Sequence, residues 1–433
     1  MPSTPADKKD IDNYLTLVSQ INDFLNQICE FQILKAKNNS FLGSETCNLV
    51  IKQCISFLAE NKPKDNLFHT SFVSKISNCK FLSDSEKNNY INKNLDLINS
   101  SVFPGYNKII SSLKYLQKSG YCKNNKGICH LKNGKSYYEF LVKNYTGSSK
   151  SVLELKSDIQ SRLMKDMRTM YSILTVNPEL ENMFYSEEHK SKSPQAILKE
   201  LNSKYTDDFP NIGNINYTVK YVDENLQDYL SPAFFLTPAI DDTNNNVIYI
   251  NKSDAFSKQD IYTTLAHEGI PGHMYQSAFF IQTNPLPVRH ILSYGGYTEG
   301  WATYVEFLSY SYEYSDQRLA KALSCSAAYS LALYSLCDIG INYEGWSFKE
   351  TKDFLKNYNI TGDDICKNIY QTVINEPANY LQYYVGYLEI TALKEKVQKQ
   401  LGTDFNLKDF HKSFLTIGPA DFKTVEKWIY TFY

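Results

Sequence analysis

The chain has 433 residues, and its 45 basic and 47 acidic side chains leave a net charge of −2. That balance makes no electrostatic case for nucleic acid or an anionic membrane surface. No apolar run has the length of a transmembrane helix, no signal-peptide pattern is present, and the length is ample for a large buried core. The nine cysteines form no C-x-x-C pair, and their odd number weighs against a complete disulfide framework. Cys122, Cys129 and His130 edge a short polar loop and read as loop-edge residues, not as a metal module.

In chain order, residues 2–9 are a polar entry segment containing Pro2 and Pro5. Apolar residues at helical spacing follow through Tyr14, Leu15, Leu17, Val18, Ile21, Phe24, Leu25 and Ile28. Similar patterns occupy 47–59, 69–77, 85–99 and 101–118. Gly134-Lys135-Ser136-Tyr137-Tyr138 opens another helix, and a long one runs from Ser151 to Ile173. Ser193-Pro194 starts the next. The period then changes: Ile215 to Val222 alternates like a strand, and Ala233–Leu236 and Val247–Ile250 are two further short apolar runs. Pro232 and Pro238 bracket the middle run, which suits an edge strand. A helix starting near Ser257 follows, and helical patterns fill 298–313, 317–342, 347–357, 362–374, 377–400, 407–415 and 421–431. The predicted fold is mainly α: one large helical body, residues 1–433, with a small β insertion at about 213–251 beside a metal-site cleft.

The chemistry concentrates in Leu265-Ala266-His267-Glu268-Gly269-Ile270-Pro271-Gly272-His273, in a chain with only 7 histidines. Two imidazoles beside a carboxylate suit a zinc ion and a base for its water. In the H-E-x-x-H arrangement the two histidines are four residues apart and share a helix face. Here His273 is six residues from His267, a rotation of about 600° on a continuous helix, so it would face away. Pro271 cannot continue the helix and Gly272 tolerates unusual backbone angles. A bulge or wide turn between Gly269 and Gly272 is therefore expected to swing His273 back to the metal. Downstream, Gly295-Gly296 breaks the chain, Thr298 is a candidate N-cap, and Glu299 begins a helix as the candidate third ligand. Glu306 shares its face but lies about 10 Å further along the axis, too far for both to reach one ion.

The combination His-Glu-Gly-Ile-Pro-Gly-His followed by Glu299-Gly300-Trp301-Ala302 with Tyr304 resembles the DUF885 family, bacterial proteins related to helical zinc peptidases whose third ligand is a Glu (gluzincins). Gly134–Tyr138, Tyr383-Tyr384-Val385-Gly386 and Asp409-Phe410-His411 extend the resemblance from about residue 12 to the C-terminus. Met274 departs from it, since family members often carry a second His there. The resemblance implies a further helical segment upstream of Met1, with any export signal lying before it. The protein is then either cytoplasmic or an exported envelope protein.

By this resemblance His267, His273 and Glu299 bind one Zn2+ and Glu268 activates its water. Tyr383 and His411 are candidates for stabilising the oxyanion. Arg289 and His290 either hold a substrate carboxylate or cap helices, the latter favoured, and the Ala233–Leu236 strand pairs with a peptide backbone. The expected function is a zinc metallopeptidase cleaving short peptides. The alternatives are a zinc amidohydrolase acting on a small non-peptide amide, and a non-catalytic binding protein on the same scaffold. Nothing in the sequence marks an oligomeric state.

Overall fold

The computed structural model describes residues 5–59, 62–186, 192–240, 243–256 and 261–433. It is 72% helical with one three-stranded sheet, the mainly α class that the periodicity predicts. Where the sequence reading has one body, the chain divides into two compact units, residues 1–126 and 127–433. The boundary falls in the Lys123–Gly127 loop. That loop is short, and both units are helical, so no shift in composition marks the change.

The first unit contains helices Lys8–Ser19, Ile21–Lys37, Ser44–Ala59, Leu67–Ser77, Asp84–Leu97 and Phe103–Lys118. The periodic run through Ile28 is interrupted at Gln20, whose N–H bonds the Leu17 carbonyl at 3.2 Å.

In the second unit, the helix Val152–Val176 starts at a capping box. The Ser151 hydroxyl accepts from the Glu154 N–H while the Glu154 carboxylate accepts from the Ser151 N–H. Ser193 likewise caps Pro194–Lys204. The sheet comprises β1 (Tyr217–Tyr221), β2 (Ala233–Leu236) and β3 (Asn246–Ile250), in the order β1-β3-β2. β1 pairs with β3 in parallel and β2 pairs with β3 antiparallel, so the proline-bracketed run is indeed an edge. Part of the polar turn before β3, Asp241 and Asp242, lies outside the described residues. So does the expected helix start near Ser257, and the helix begins at Tyr262.

Among the described residues one segment, Gln317–Glu344, is long and apolar enough by composition to cross a membrane, where the sequence shows no apolar run of that length at first reading. It packs against Val152–Val176 and carries a fully buried aspartate, Asp338, as a core helix can.

Asp338 explains why Gly134–Tyr138 stands out in the sequence. Its Oδ1 accepts from the Tyr138 hydroxyl at 2.7 Å, from Asn342 Nδ2 at 3.1 Å and from the Ala378 N–H at 3.1 Å. Ala378 has φ +67° at the start of the helix Asn379–Leu401, so the carboxyl steadies the entry to that helix. Burial pushes the Asp338 pKa up to about 7, against the lowering effect of these donors. The native state thus keeps a proton that the unfolded chain releases near pH 4, and stability falls as pH rises between those values. Asp338→Asn cannot ionise and should flatten this slope. Urea denaturation at pH 5 and pH 8 should show wild type losing up to roughly 2.7 kcal/mol more than the variant, and parallel slopes would refute it.

Candidate metal centre

The helix Tyr262–Glu268 stops at Gly269, and a second helix, His273–Gln282, begins at His273. The predicted interruption is thus a wide turn between two helices, and its Ile270–Pro271 bond is cis. The Tyr275 N–H reaches back to the Gly269 carbonyl at 3.1 Å, and the Gln276 N–H to Gly272 at 2.8 Å. Gly272 is required by close approach: a Cβ there would lie 1.8 Å from the His267 carbonyl oxygen. The Trp301 indole N–H donates to the Pro271 carbonyl at 2.9 Å and pins the turn from outside.

This turn sets the His273 ring beside that of His267, centroids 4.8 Å apart and nearly perpendicular. Glu299 Oε2 lies 3.2 Å from His273 Nε2 and 3.6 Å from His267 Nε2. Ligand bonds of 2.0–2.2 Å in a tetrahedron place donor atoms about 3.4 Å apart, so these two separations are close to tetrahedron edges. His267, His273 and Glu299 could therefore hold a metal ion. Ligand atoms of His267, Glu268 and His273 also fall within 4.8 Å of one another. Contacts divide the two carboxylates between roles. Glu299 touches both imidazoles, whereas Glu268 Oε2 accepts the N–H of Phe235 on β2 at 2.8 Å.

Glu306 meets the other nitrogen of His267, Nδ1, at 2.8 Å. Glu299 and Glu306 are seven residues apart on the helix Gly295–Glu313, so they share a face and address opposite sides of one ring. A carboxylate on Nδ1 leaves Nε2 to face Glu299. Burial alone would lower the His267 pKa, but the neighbouring carboxylates of Glu299 and then Glu306 hold it well above the usual range. Burial would raise Glu299, yet the two imidazoles hold it well below the usual carboxylate range.

The centre opens into a cleft of about 560 Å3, the scale of small-molecule sites. Phe234 and Phe235 of β2 form one wall, with Phe280, Ile291 and Leu292 on others. Tyr383 lines it too, half-buried, its ring centroid 6.4 Å from that of His267. Burial, then the charges of Glu299 and Glu268, push its hydroxyl pKa far up, which keeps it a neutral donor. Tyr383 also borders a second cavity of similar volume behind His267, where Glu306, Tyr334 and Tyr380 lie.

A family model described as a bacterial protein of unknown function (DUF885) matches residues 2–429. The chain belongs to the DUF885 family. No curated protein matches it. Among solved structures, the DUF885 chain is similar to a candidate lipoprotein from Colwellia psychrerythraea, with TM-score 0.86 and 22% identity over 99% of this chain and 77% of that one. A candidate lipoprotein of unknown function from Shewanella oneidensis has TM-score 0.56 and 18% identity over 82% of this chain and 69% of its own. These likenesses concern the fold alone.

Not every predicted site residue reaches the cleft. His411 is fully buried, stacked on Phe209 at 4.2 Å, with Nδ1 on the Asp208 carbonyl at 2.7 Å and Nε2 on the Tyr304 hydroxyl at 3.0 Å. Burial lowers its pKa to about 3, and with both nitrogens engaged it is a core imidazole. Thr298 is not the N-cap: the helix begins at Gly295, and the Thr298 hydroxyl bonds the Tyr294 carbonyl at 3.1 Å. Gly295 and Gly296 begin this helix instead of breaking it, and a Cβ on Gly296 would sit 1.9 Å from the Thr146 carbonyl. Arg289 Nη2 caps the Ile417 and Pro419 carbonyls at 2.9 and 3.0 Å. The Phe235 N–H was not foreseen, since a backbone donor leaves no side-chain signature.

The runs Glu299–Ala302 and Tyr383–Gly386 meet in one contact. A Cβ on Gly300 would lie 2.4 Å from Gly386 Cα, and one on Gly386 would lie 2.2 Å from the Gly296 carbonyl. Helices Gly295–Glu313 and Asn379–Leu401 therefore cross backbone against backbone, with Glu299 and Tyr383 beside the crossing. Gly300→Ala should force the helices apart at a cost of about 1–3 kcal/mol. Chemical denaturation measures this, and an unchanged midpoint would show that the crossing is not tight.

Proposed function

We propose that this DUF885 protein is a zinc-dependent peptidase of the gluzincin type acting on short peptides. His267, His273 and Glu299 would hold one zinc ion, and Glu268 would serve as general base. The observation that carries this reading is the approach of Glu299 Oε2 to both imidazole Nε2 atoms at near-tetrahedral edge lengths, with a second carboxylate alongside. Zinc, when bound, lowers the pKa of its water to about 7 and polarises a carbonyl.

The remaining steps belong to the chain's own residues. Glu268 accepts the proton of the attacking water and passes it to the leaving nitrogen as the C–N bond breaks, so the carboxylate ends unchanged. The Phe235 N–H orients that carboxylate. The Tyr383 hydroxyl donates to the carbonyl oxygen as it gains negative charge. The outer edge of β2 receives the substrate backbone as an added strand, and the modest cleft favours short chains. The lipoprotein descriptions of the two similar structures support work at a cell envelope.

Metal analysis of the purified protein should find about one zinc per chain. Glu299→Ala should lose it and Glu306→Ala should keep it with a reduced rate; the reverse pattern would move the ligand assignment to Glu306. Glu268→Gln should retain zinc and lose about 10²–10⁴ in rate on a fluorogenic peptide library. Near-native turnover by that variant would rule out Glu268 as the base. Tyr383→Phe should lower kcat by about 10²–10³, and an unchanged kcat would remove it from the chemistry.

A further inference from the structure

We infer that Arg289 is the specificity group of the cleft, and that the substrates are short peptides whose free C-terminal carboxylate it binds. This rests on the peptidase reading and adds a substrate class to it.

The chain has four arginines, Arg162, Arg168, Arg289 and Arg318. Arg162 pairs with Asp166 at 2.9 Å and Arg318 with Asp316 at 2.7 Å, while Arg168 is exposed. Arg289 is different: it is half-buried and lines the cleft, and among the described residues no carboxylate pairs with it. Its Nη2 donates only to the neutral carbonyls of Ile417 and Pro419, and its Nε is buried with no partner. The Phe280 ring lies 5.8 Å from its Cζ. These contacts orient the guanidinium without neutralising it. Nη1 makes no hydrogen bond among the described residues and is not among the buried unpartnered atoms.

A capping role accounts for Nη2 alone. It does not account for a cation in the wall of the cleft that holds the metal centre. Charge points the same way. Glu268 and Glu299 are the carboxylates among the residues lining this cleft, and one divalent ion would offset both. The Arg289 charge is then left for the ligand. A carboxylate suits it, since a hydrogen bond between two charged groups is about twice as strong as a neutral one. Ile291 and Leu292 beside it are 74% and 41% exposed, an apolar surface for the terminal side chain.

The test uses the zinc-loaded full chain carrying Glu268→Gln, so that peptide binds without turnover. Calorimetry compares acetyl-Ala-Phe-Leu as free acid with the same peptide as C-terminal amide. The acid should bind about tenfold or more tighter. Adding Arg289→Gln should bring the ratio near one, and Arg289→Lys should restore part of it. The ratio is read within each variant, so a general loosening around Ile417 and Pro419 does not mimic the result. Equal binding of acid and amide before Arg289 is changed would overturn this inference and leave the peptidase reading standing. An acid preference that survives Arg289→Gln would also overturn it. Binding of neither peptide would overturn both.

Discussion

The candidate centre depends on a place where two helices touch with nothing between their backbones. At Gly300 and Gly386 a single added carbon would overlap the opposite chain. Removing both side chains draws the helices Gly295–Glu313 and Asn379–Leu401 to a closer approach than ordinary packing allows. Their flanking residues then come within reach of a common point. Glu299 precedes one glycine and Tyr383 lies three residues before the other, so one crossing delivers a carboxylate and a phenol to the same cleft. The start of the second helix is steadied by Asp338 on Ala378, and Asp338 in turn by Tyr138. A motif nearly 250 residues upstream of Tyr383 is thereby mechanically part of the site.

Around that crossing, principal groups of the site are each fixed by a contact from another element. Glu306 holds His267, the Phe235 N–H holds Glu268, and the Trp301 indole holds the Pro271 carbonyl of the turn carrying His273. Such contacts hold the candidate donor atoms in place relative to one another. The Glu299 contacts are consistent with it: 3.6 Å is long for a hydrogen bond but close to a tetrahedron edge.

The sequence motifs divide by what their residues require. His-Glu-Gly-Ile-Pro-Gly-His was legible because a proline and a glycine at that spacing forbid a straight helix, and the wide turn follows from backbone sterics. Glycines at 295 and 296 misled: they read as a helix break, yet they begin the helix, and at Gly296 the Thr146 carbonyl passes too close for a side chain. His411 misled because a histidine in an aromatic helix carries no mark of its partners. Its two nitrogens are satisfied by Asp208 and Tyr304, residues about 200 and 107 positions away.

The sequence by itself determined the helical class, most element boundaries, the edge position of β2 and the identity of the His267, Glu268, His273 and Glu299 cluster. All of these follow from local periodicity, turn chemistry or the few residue types that bind metals. Tertiary structure alone decided which nitrogen of His267 faces Glu299 and which faces Glu306. It also decided that a backbone N–H orients Glu268, and that Arg289 has no acidic partner among the described residues. Those outcomes depend on distances between segments far apart in the chain, and on backbone groups that every residue possesses, so no pattern of side chains could announce them.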